Sequence, residues 1–278
     1  MKIRSKKLVL ILAMGTVATL TQNVAWADRL DDIKAKGTLV CGTLGTAPPF
    51  SYQDPQTRKT IGYDVEVCEV IAKHLGVKNE VKLIAVPARI PEVAQGRVDV
   101  VAAALGWTPE RSKQALFSYS YYSTSTALAV GENKGMDSWS NMAGKKVGSI
   151  NATTSAAGVR ANLPQANLVT FEDPSQVYLA MRQKKIDAIA LNENNLRYYQ
   201  KTVKDTPDAV KLIMEPPIFT EKYGVGIKLG EERLLAAVNE ALIQADKAGE
   251  LQAIFDKYLG ENTEYKLTRK FRVEAITE

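Results

Sequence analysis

Four short apolar runs recur along this chain: Thr38–Thr43 (TLVCGT), Val98–Leu105 (VDVVAAAL), Lys145–Ile150 (KKVGSI) and Ile186–Leu191 (IDAIAL). Runs this short and apolar read as strands buried on both faces, and strands that alternate with helices build βαβ units around a parallel sheet. The intervening segments supply the helices. Tyr63–Leu75 has helical spacing with Asp64 as its expected N-cap and Gly76 past its end; Thr153–Leu163 is helix-like, and Pro174–Lys184 begins on a proline suited to a first turn. Further strands are expected at Val81–Val86 and Asn167–Phe171, and a short helix ends at Gln95 before Gly96. The join Gly96-Arg97-Val98-Asp99-Val100 is echoed by Lys184-Lys185-Ile186-Asp187-Ala188. Both place a basic residue and then apolar-Asp-apolar where a helix meets a strand, which points to two similar halves.

The first 27 residues are of another kind. Lys2, Arg4, Lys6 and Lys7 precede an apolar run from Leu8 to Leu20 and then Ala25-Trp26-Ala27, the order of a secretory signal peptide with a small-x-small cleavage site. A membrane anchor is the alternative, but it needs roughly 20 apolar residues. No cysteine follows the cleavage site, so no lipoprotein anchor is expected. Those four cations account for most of the formal +5, so the chain from Asp28 to Glu278 is close to neutral and offers no electrostatic case for nucleic acid. Its length admits one large or two modest domains.

Catalytic signatures are missing. The sequence has no G-x-S-x-G, no phosphate loop and no dinucleotide fingerprint, and its single histidine, His74, sits near the end of a helix as a surface or packing residue. Cys41 and Cys68 with one distant histidine make no zinc site. They read either as two buried thiols or, in an oxidising compartment, as a disulfide between the first strand and first helix. No metal or cofactor is expected.

Two helix starts could bind an anion. Strand Val98–Leu105 leads into Gly106-Trp107-Thr108-Pro109-Glu110-Arg111, with Thr108 as N-cap and Arg111 one turn in. Asn151-Ala152-Thr153-Thr154 follows strand Lys145–Ile150. Ligands of open α/β sheets bind at such ends, and the guanidinium fork matches a carboxylate. On residue physics alone, however, Arg111 as a solvated helix charge and the threonines as plain caps is the stronger reading.

At this point the sequence resembles the family 3 extracellular solute-binding proteins, the polar amino-acid receptors of ABC importers. The matching pieces are Gly42–Tyr52 (GTLGTAPPFSY), Ile61–Gly76, Gln95–Ser118, Ala143–Ser155, Lys184–Asn192, Tyr223–Leu229 (YGVGIKL) and Gly249–Gly260, in order. The resemblance implies an α/β, two-lobe periplasmic binding protein fold of type II, a flytrap with a two-strand hinge. Its divisions would be a signal peptide over 1–27, lobe one over 28–121 and 222–278, and lobe two over 122–221. The tail after Gly260 has no assigned role. A periplasmic monomer is implied, with a small carboxylate ligand and a membrane ABC permease as partners.

The resemblance further implies that Arg111 pairs with the ligand α-carboxylate, that Asn151, Thr153 and Thr154 complete the grip, and that Arg89 takes a side-chain carboxylate where there is one. Thr46, Ala47, Phe50, Val86, Ala104, Gly106 and Asn192 fall at other pocket positions. Leu44 and Asn192 stand where relatives carry acids for the ligand ammonium, and Ala103, Ala104 and Gly106 lack hydroxyls found there. Either the ligand has no ammonium, as in a keto or dicarboxylic acid, or another acid such as Glu193 supplies the charge. A dehydratase of the same fold acting on prephenate-like acids, and a sensory receptor, are the remaining alternatives.

Overall fold

The computed structural model describes residues 28–277; the signal-peptide reading lies outside them. The chain begins with α1 (Arg29–Lys36), β1 (Thr38–Thr43), a small sheet of β2 (Thr46–Ala47), β3 (Ser51–Gln53) and β4 (Thr60–Ile61), and α2 (Tyr63–Leu75). It continues through β5 (Lys78–Leu83), α3 (Arg89–Ala94), β6 (Val100–Val101), α4 (Pro109–Ser112) and the long β7 (Ala115–Gly131). Next come β8 (Lys146–Ile150), α5 (Thr154–Asn162), β9 (Asn167–Phe171), α6 (Pro174–Arg182), β10 (Ala188–Asn192), α7 (Glu193–Val203) and β11 (Val210–Ile213). The last elements are β12 (Phe219–Lys228), α8 (Glu232–Lys247) and α9 (Glu250–Tyr258).

The large sheet runs β5-β1-β6-β12-β7-β10-β8-β9, with β11 also on β7. β1 pairs in parallel with β5 and β6, and β8 in parallel with β9 and β10. Within the sheet of the described residues, the two parallel groups are joined through β7 and β12, which pair antiparallel from Phe219↔Thr126 to Lys228↔Ala115. Register shifts near Gly224 interrupt that ladder. This is the two-lobe type II arrangement.

The repeated apolar-Asp-apolar join has one physical job in both halves. Asp99 N–H donates to Val40 O at 2.9 Å while its Oδ2 accepts from Val40 N at 2.7 Å. Asp187 does the same to Lys146, at 2.8 Å both ways. Each aspartate thus finishes the ladder where a strand begins.

Several expected elements need correction. The Val98–Leu105 run keeps only Val100–Val101 as strand, because the chain turns at Ala104, whose φ is +46°. The strand expected at Val81–Val86 is Lys78–Leu83, and Val86 already opens a 3-10 turn. Asp64 is not the N-cap of α2. Gly62 is, and a Cβ there would lie 2.2 Å from Phe50 O. Asp64 is instead fully buried in the first turn.

Cys41 on β1 and Cys68 on α2, both fully buried, are joined in a disulfide with 6.2 Å between their Cα atoms. Nearby, Phe50, Tyr63, Tyr122, Tyr223 and Phe255 pack edge to face or stacked. The tail beyond Gly260 joins this cluster. Phe271 lies 5.0 Å from the Tyr122 ring and 5.8 Å from Phe255, and Arg269 Nη1 sits 2.6 Å from Asp246 Oδ1 in a buried ion pair set off the N–H axis. Ser120 N donates to Glu274 O at 2.8 Å, and Lys222 pairs with the Glu274 carboxylate, so the tail touches both hinge strands. Among the described residues no helix is long and apolar enough to cross a membrane.

Candidate functional site

The loop from Ala102 to Thr108 forms one wall of the cleft, and two buried charges hold its shape. Asp64 Oδ2 accepts from Ala104 N at 2.7 Å and Oδ1 from the Tyr121 hydroxyl at 2.8 Å. Burial pushes the Asp64 carboxyl up to about 7 despite those bonds. Arg89, 4 % exposed, donates from Nε to Val86 O at 2.9 Å and from Nη1 to Ala103 O and Ala104 O at 3.1 and 2.7 Å. Together they fix the Ala104 peptide in its left-handed turn from both ends. Most of the Arg89 fork is therefore committed to backbone. Only Nη2 turns to the cleft, 3.4 Å from Ala152 O. Burial first, and the Arg111 charge second, lower its pKa to about 9.

Arg111 lies in the short α4, whose start is set by Thr108 Oγ1 accepting from Arg111 N at 3.2 Å and by Pro109 in the first turn. Its Nη1 donates to Gly106 O at 2.5 Å and its Nη2 to Ala152 O, across the cleft, at 2.7 Å. Burial lowers its pKa and the Glu221 carboxylate opposes that. Both guanidinium groups thus converge on one oxygen acceptor at the foot of α5, where Ala152 takes a φ of +54°.

The threonines divide their roles. Thr153 caps α5: its Oγ1 accepts from Ala156 N at 3.2 Å and donates to Ile150 O at 2.7 Å. Its one hydroxyl proton is therefore given to Ile150 O, while the residue still lines the cleft. Thr154 Oγ1 donates to Glu221 Oε2 at 2.6 Å, and Asn192 Nδ2 donates to Glu221 Oε1. Glu221, on β12 and 5 % exposed, has a carboxyl pKa raised by burial and partly restored by Thr154, Asn192 and the two arginines.

Glu221 was not among the expected site residues, although the sequence holds a signal for it. In FTEKYGVGIK, positions 221, 223, 225 and 227 alternate, and all four are buried. An acid in that row must point into the protein. The same residue explains the missing side chain at Gly106, where a Cβ would lie 1.7 Å from Glu221 Oε2. Glu193, named from sequence as a source of negative charge, instead pairs with Arg197 at 2.6 Å and lines a different cavity behind the hinge, beside Tyr122 and Phe271.

The cleft has two chambers. The inner one, about 30 Å³, is lined by Leu44, Ala47, Phe50, Val86, Arg89, Ala104, Thr154, Asn192 and Glu221 among others. The outer one, about 520 Å³, is lined by Val86, Arg89, Thr108, Arg111, Gln114, Ala152, Thr153, Ala157 and Arg160 among others. Gly106 O accepts from Arg111 Nη1. Three expected residues line neither chamber: Gly106, Thr46 and Asn151. Thr46 is exposed on β2, and Asn151 is exposed with its side-chain oxygen turned back to Ala152 N at 3.0 Å. His74 is exposed in the last turn of α2.

Comparison with known proteins places these features in context. The family model of bacterial extracellular solute-binding proteins, family 3, matches residues 39–261. The L-cystine-binding protein TcyJ of Escherichia coli (strain K12) is 32 % identical over 255 residues, covering 90 % of this chain and 93 % of that protein. Two solved structures superpose with TM-scores of 0.75. One is an ancestral arginine-binding protein bound to glutamine, 32 % identical over 81 % of this chain and 99 % of its own. The other is the ancestral amino acid-binding protein AncCDT-1, a precursor of cyclohexadienyl dehydratase, 29 % identical over 84 % and 99 %.

Proposed function

This chain belongs to the bacterial extracellular solute-binding proteins, family 3, and from that premise we propose that it captures a free amino acid for an ABC importer, with the carboxylate on Arg111 and the ammonium on Glu221. The observation behind this reading is the pairing of those two charges around Gly106. Arg111 bonds the Gly106 carbonyl, and Glu221 fills the space a Gly106 side chain would take. An amino acid carries its two charges on one carbon, so it can meet both groups at once. A keto acid would leave Glu221 buried without a cation, and truncating one partner of a buried pair costs about 2–5 kcal/mol. The ligands named for the relatives above, cystine, glutamine and arginine, are all amino acids.

The same reading divides the chain into lobe one, residues 28–121 with 222–278, and lobe two, residues 122–221, with β7 and β12 as the hinge. Residues 1–27 would direct export to the periplasm, where a monomer would deliver its ligand to a membrane permease.

Titration calorimetry of the mature chain against amino acids and their matched α-keto acids tests the proposal. The amino acid is expected to bind at least about 10-fold more tightly; equal affinity for the keto acid overturns the reading. A second reading, dehydration of a prephenate-like acid, draws on one observation: Glu221 is a buried carboxyl of raised pKa in the cleft, the profile of a general acid. Turnover of such an acid by the pure protein would favour it.

A further inference from the structure

The outer chamber extends well beyond what the two charges of a simple amino acid require. One wall is a face of α5: Thr153, Ala157 and Arg160 recur at i, i+4, i+7 and all line the chamber. The facing wall presents Thr108, Arg111 and Gln114, at i, i+3, i+6. Between these rows the α5 side is low, because Ala157 is small. The chamber therefore reaches from Arg111 to Arg160, both of which line it. Arg160 lies six residues past Thr154, which on a helix is about 9 Å further along the axis. Helical side chains lean back toward the N-terminus, so the guanidinium is directed toward the cleft.

The charge around this chamber is unbalanced. It is lined by three arginines, Arg89, Arg111 and Arg160, against the single carboxylate of Glu110. Arg89 is tied to Val86, Ala103 and Ala104, and Arg111 is the carboxylate anchor of the proposed function. Arg160 and Glu110 enter no ion pair among the described residues, and both are exposed at the mouth. A cation at the far end of a chamber whose near end holds an amino-acid head has one natural complement, a second anionic group on the same ligand.

We propose that the outer chamber is a distal-carboxylate subsite, in which Arg160, with Gln114 beside it, receives the terminal acid group of a long-chain amino diacid running along the Ala157 face of α5. This rests on the reading of Arg111 as the anchor for the α-carboxylate. It moves side-chain recognition away from Arg89, whose fork is mostly committed to the backbone, and it places the length determinant at Ala157.

The test is titration calorimetry of the mature chain with two probes of equal length, 2-aminopimelate, which ends in a carboxylate, and 2-aminoheptanoate, which does not. The wild type is expected to prefer the diacid by about 10-fold. Arg160→Ala should remove the preference and leave 2-aminoheptanoate binding unchanged, an outcome general misfolding cannot produce. Ala157→Leu should weaken both long probes and spare glutamine. The subsite is overturned if the wild type shows no preference, if Arg160→Ala keeps it, or if glutamine or glutamate binds while both long probes are excluded. Arg111→Ala separates the two claims. Loss of both probes with no diacid preference in the wild type sinks the subsite alone, whereas unchanged binding in Arg111→Ala removes the anchor and the subsite with it. Adding 2,6-diaminopimelate shows whether a second ammonium, facing Glu110, strengthens the hold; a weaker hold than on 2-aminopimelate counts against Arg160 and Glu110 acting on one ligand head.

Discussion

Thr154 Oγ1 donates a 2.6 Å hydrogen bond to Glu221 Oε2, tying the first turn of α5 to hinge strand β12 inside the cleft. The helix that lines both chambers is therefore coupled directly to one of the two strands that join the parallel groups of the sheet. In the proposed reading the Glu221 charge would serve both the ligand and the hinge.

Neutralising that charge should discriminate between ligands. Glu221→Gln keeps the size and hydrogen-bonding capacity that Thr154 and Asn192 need, but it removes the counter-charge for an ammonium. Amino-acid affinity should fall by about 2–5 kcal/mol, while an α-keto acid should bind no worse than to the wild type. Calorimetry with one such pair checks both halves.

The two arginines should fail in different ways. Among the described residues the Arg111 guanidinium donates only to Gly106 O and Ala152 O, so Arg111→Ala should lower affinity by about 2–5 kcal/mol with little change in melting temperature. Arg89 is buried and holds the Val86, Ala103 and Ala104 carbonyls. Arg89→Ala keeps the backbone N–H of residue 89 on Val86 O but orphans the Ala103 and Ala104 carbonyls, and should cost stability, about 1–3 kcal/mol for each unsatisfied group before relaxation. Thermal melts beside titrations distinguish a ligand contact from a scaffold contact.

Asp64 predicts a pH dependence of stability. Burial raises its folded pKa from the ordinary carboxylate range to about 7. The folded chain holds this proton more tightly than the unfolded one. Its contribution is therefore fully present below about pH 4 and is lost as pH rises toward 7. Asp64→Asn can keep the bonds to Ala104 N and to the Tyr121 hydroxyl, which is free to rotate, and it removes the titration. The wild-type loss of stability between about pH 4 and 7 should flatten in the variant, by a few kcal/mol at most; parallel pH profiles would assign that proton elsewhere.

The disulfide closes a loop between residues 27 apart in sequence. On chain-entropy grounds it stabilises by about 3–4 kcal/mol, so the Cys41→Ala, Cys68→Ala double variant should melt roughly 10 °C lower. Ligand affinity should be unaffected, because neither cysteine lines the cleft.

What the sequence revealed followed simple periodicities. β1, β8, β9 and β10 were legible because each is a short apolar run, and the Asp99 and Asp187 joins because they repeat. β7 was not, although it is the longest strand. Its stretch SYSYYSTST reads as polar, yet Ser118, Ser120, Thr124 and Thr126 are buried. Partners distant in sequence make that tolerable: Val225 N donates to Ser118 Oγ, and Thr126 Oγ1 meets Ser155 Oγ. The turn at Ala104 was hidden for a similar reason, since it is imposed by Asp64 and Arg89 rather than by its own neighbours. At the site, Arg111 and the start of α5 were visible as helix caps. Glu221 lay in an unread strand, and so the acid that lines the inner chamber went unnamed.

The position of β12 has a consequence for how this molecule comes into being. It lies between β6 and β7 in the sheet, yet β6 ends at Val101 and β12 begins only at Phe219. A nascent chain that has emerged as far as Gly131 holds most of one lobe's strands, but the slot at their centre is empty and two strand edges lie open to any other chain. Folding must wait for a segment that begins more than 100 residues after β6 ends, a non-local closure that is intrinsically slow. Neither lobe can be released early as a finished unit. A chaperone that keeps the polypeptide loose until its last quarter has been made would be working with the topology of this protein.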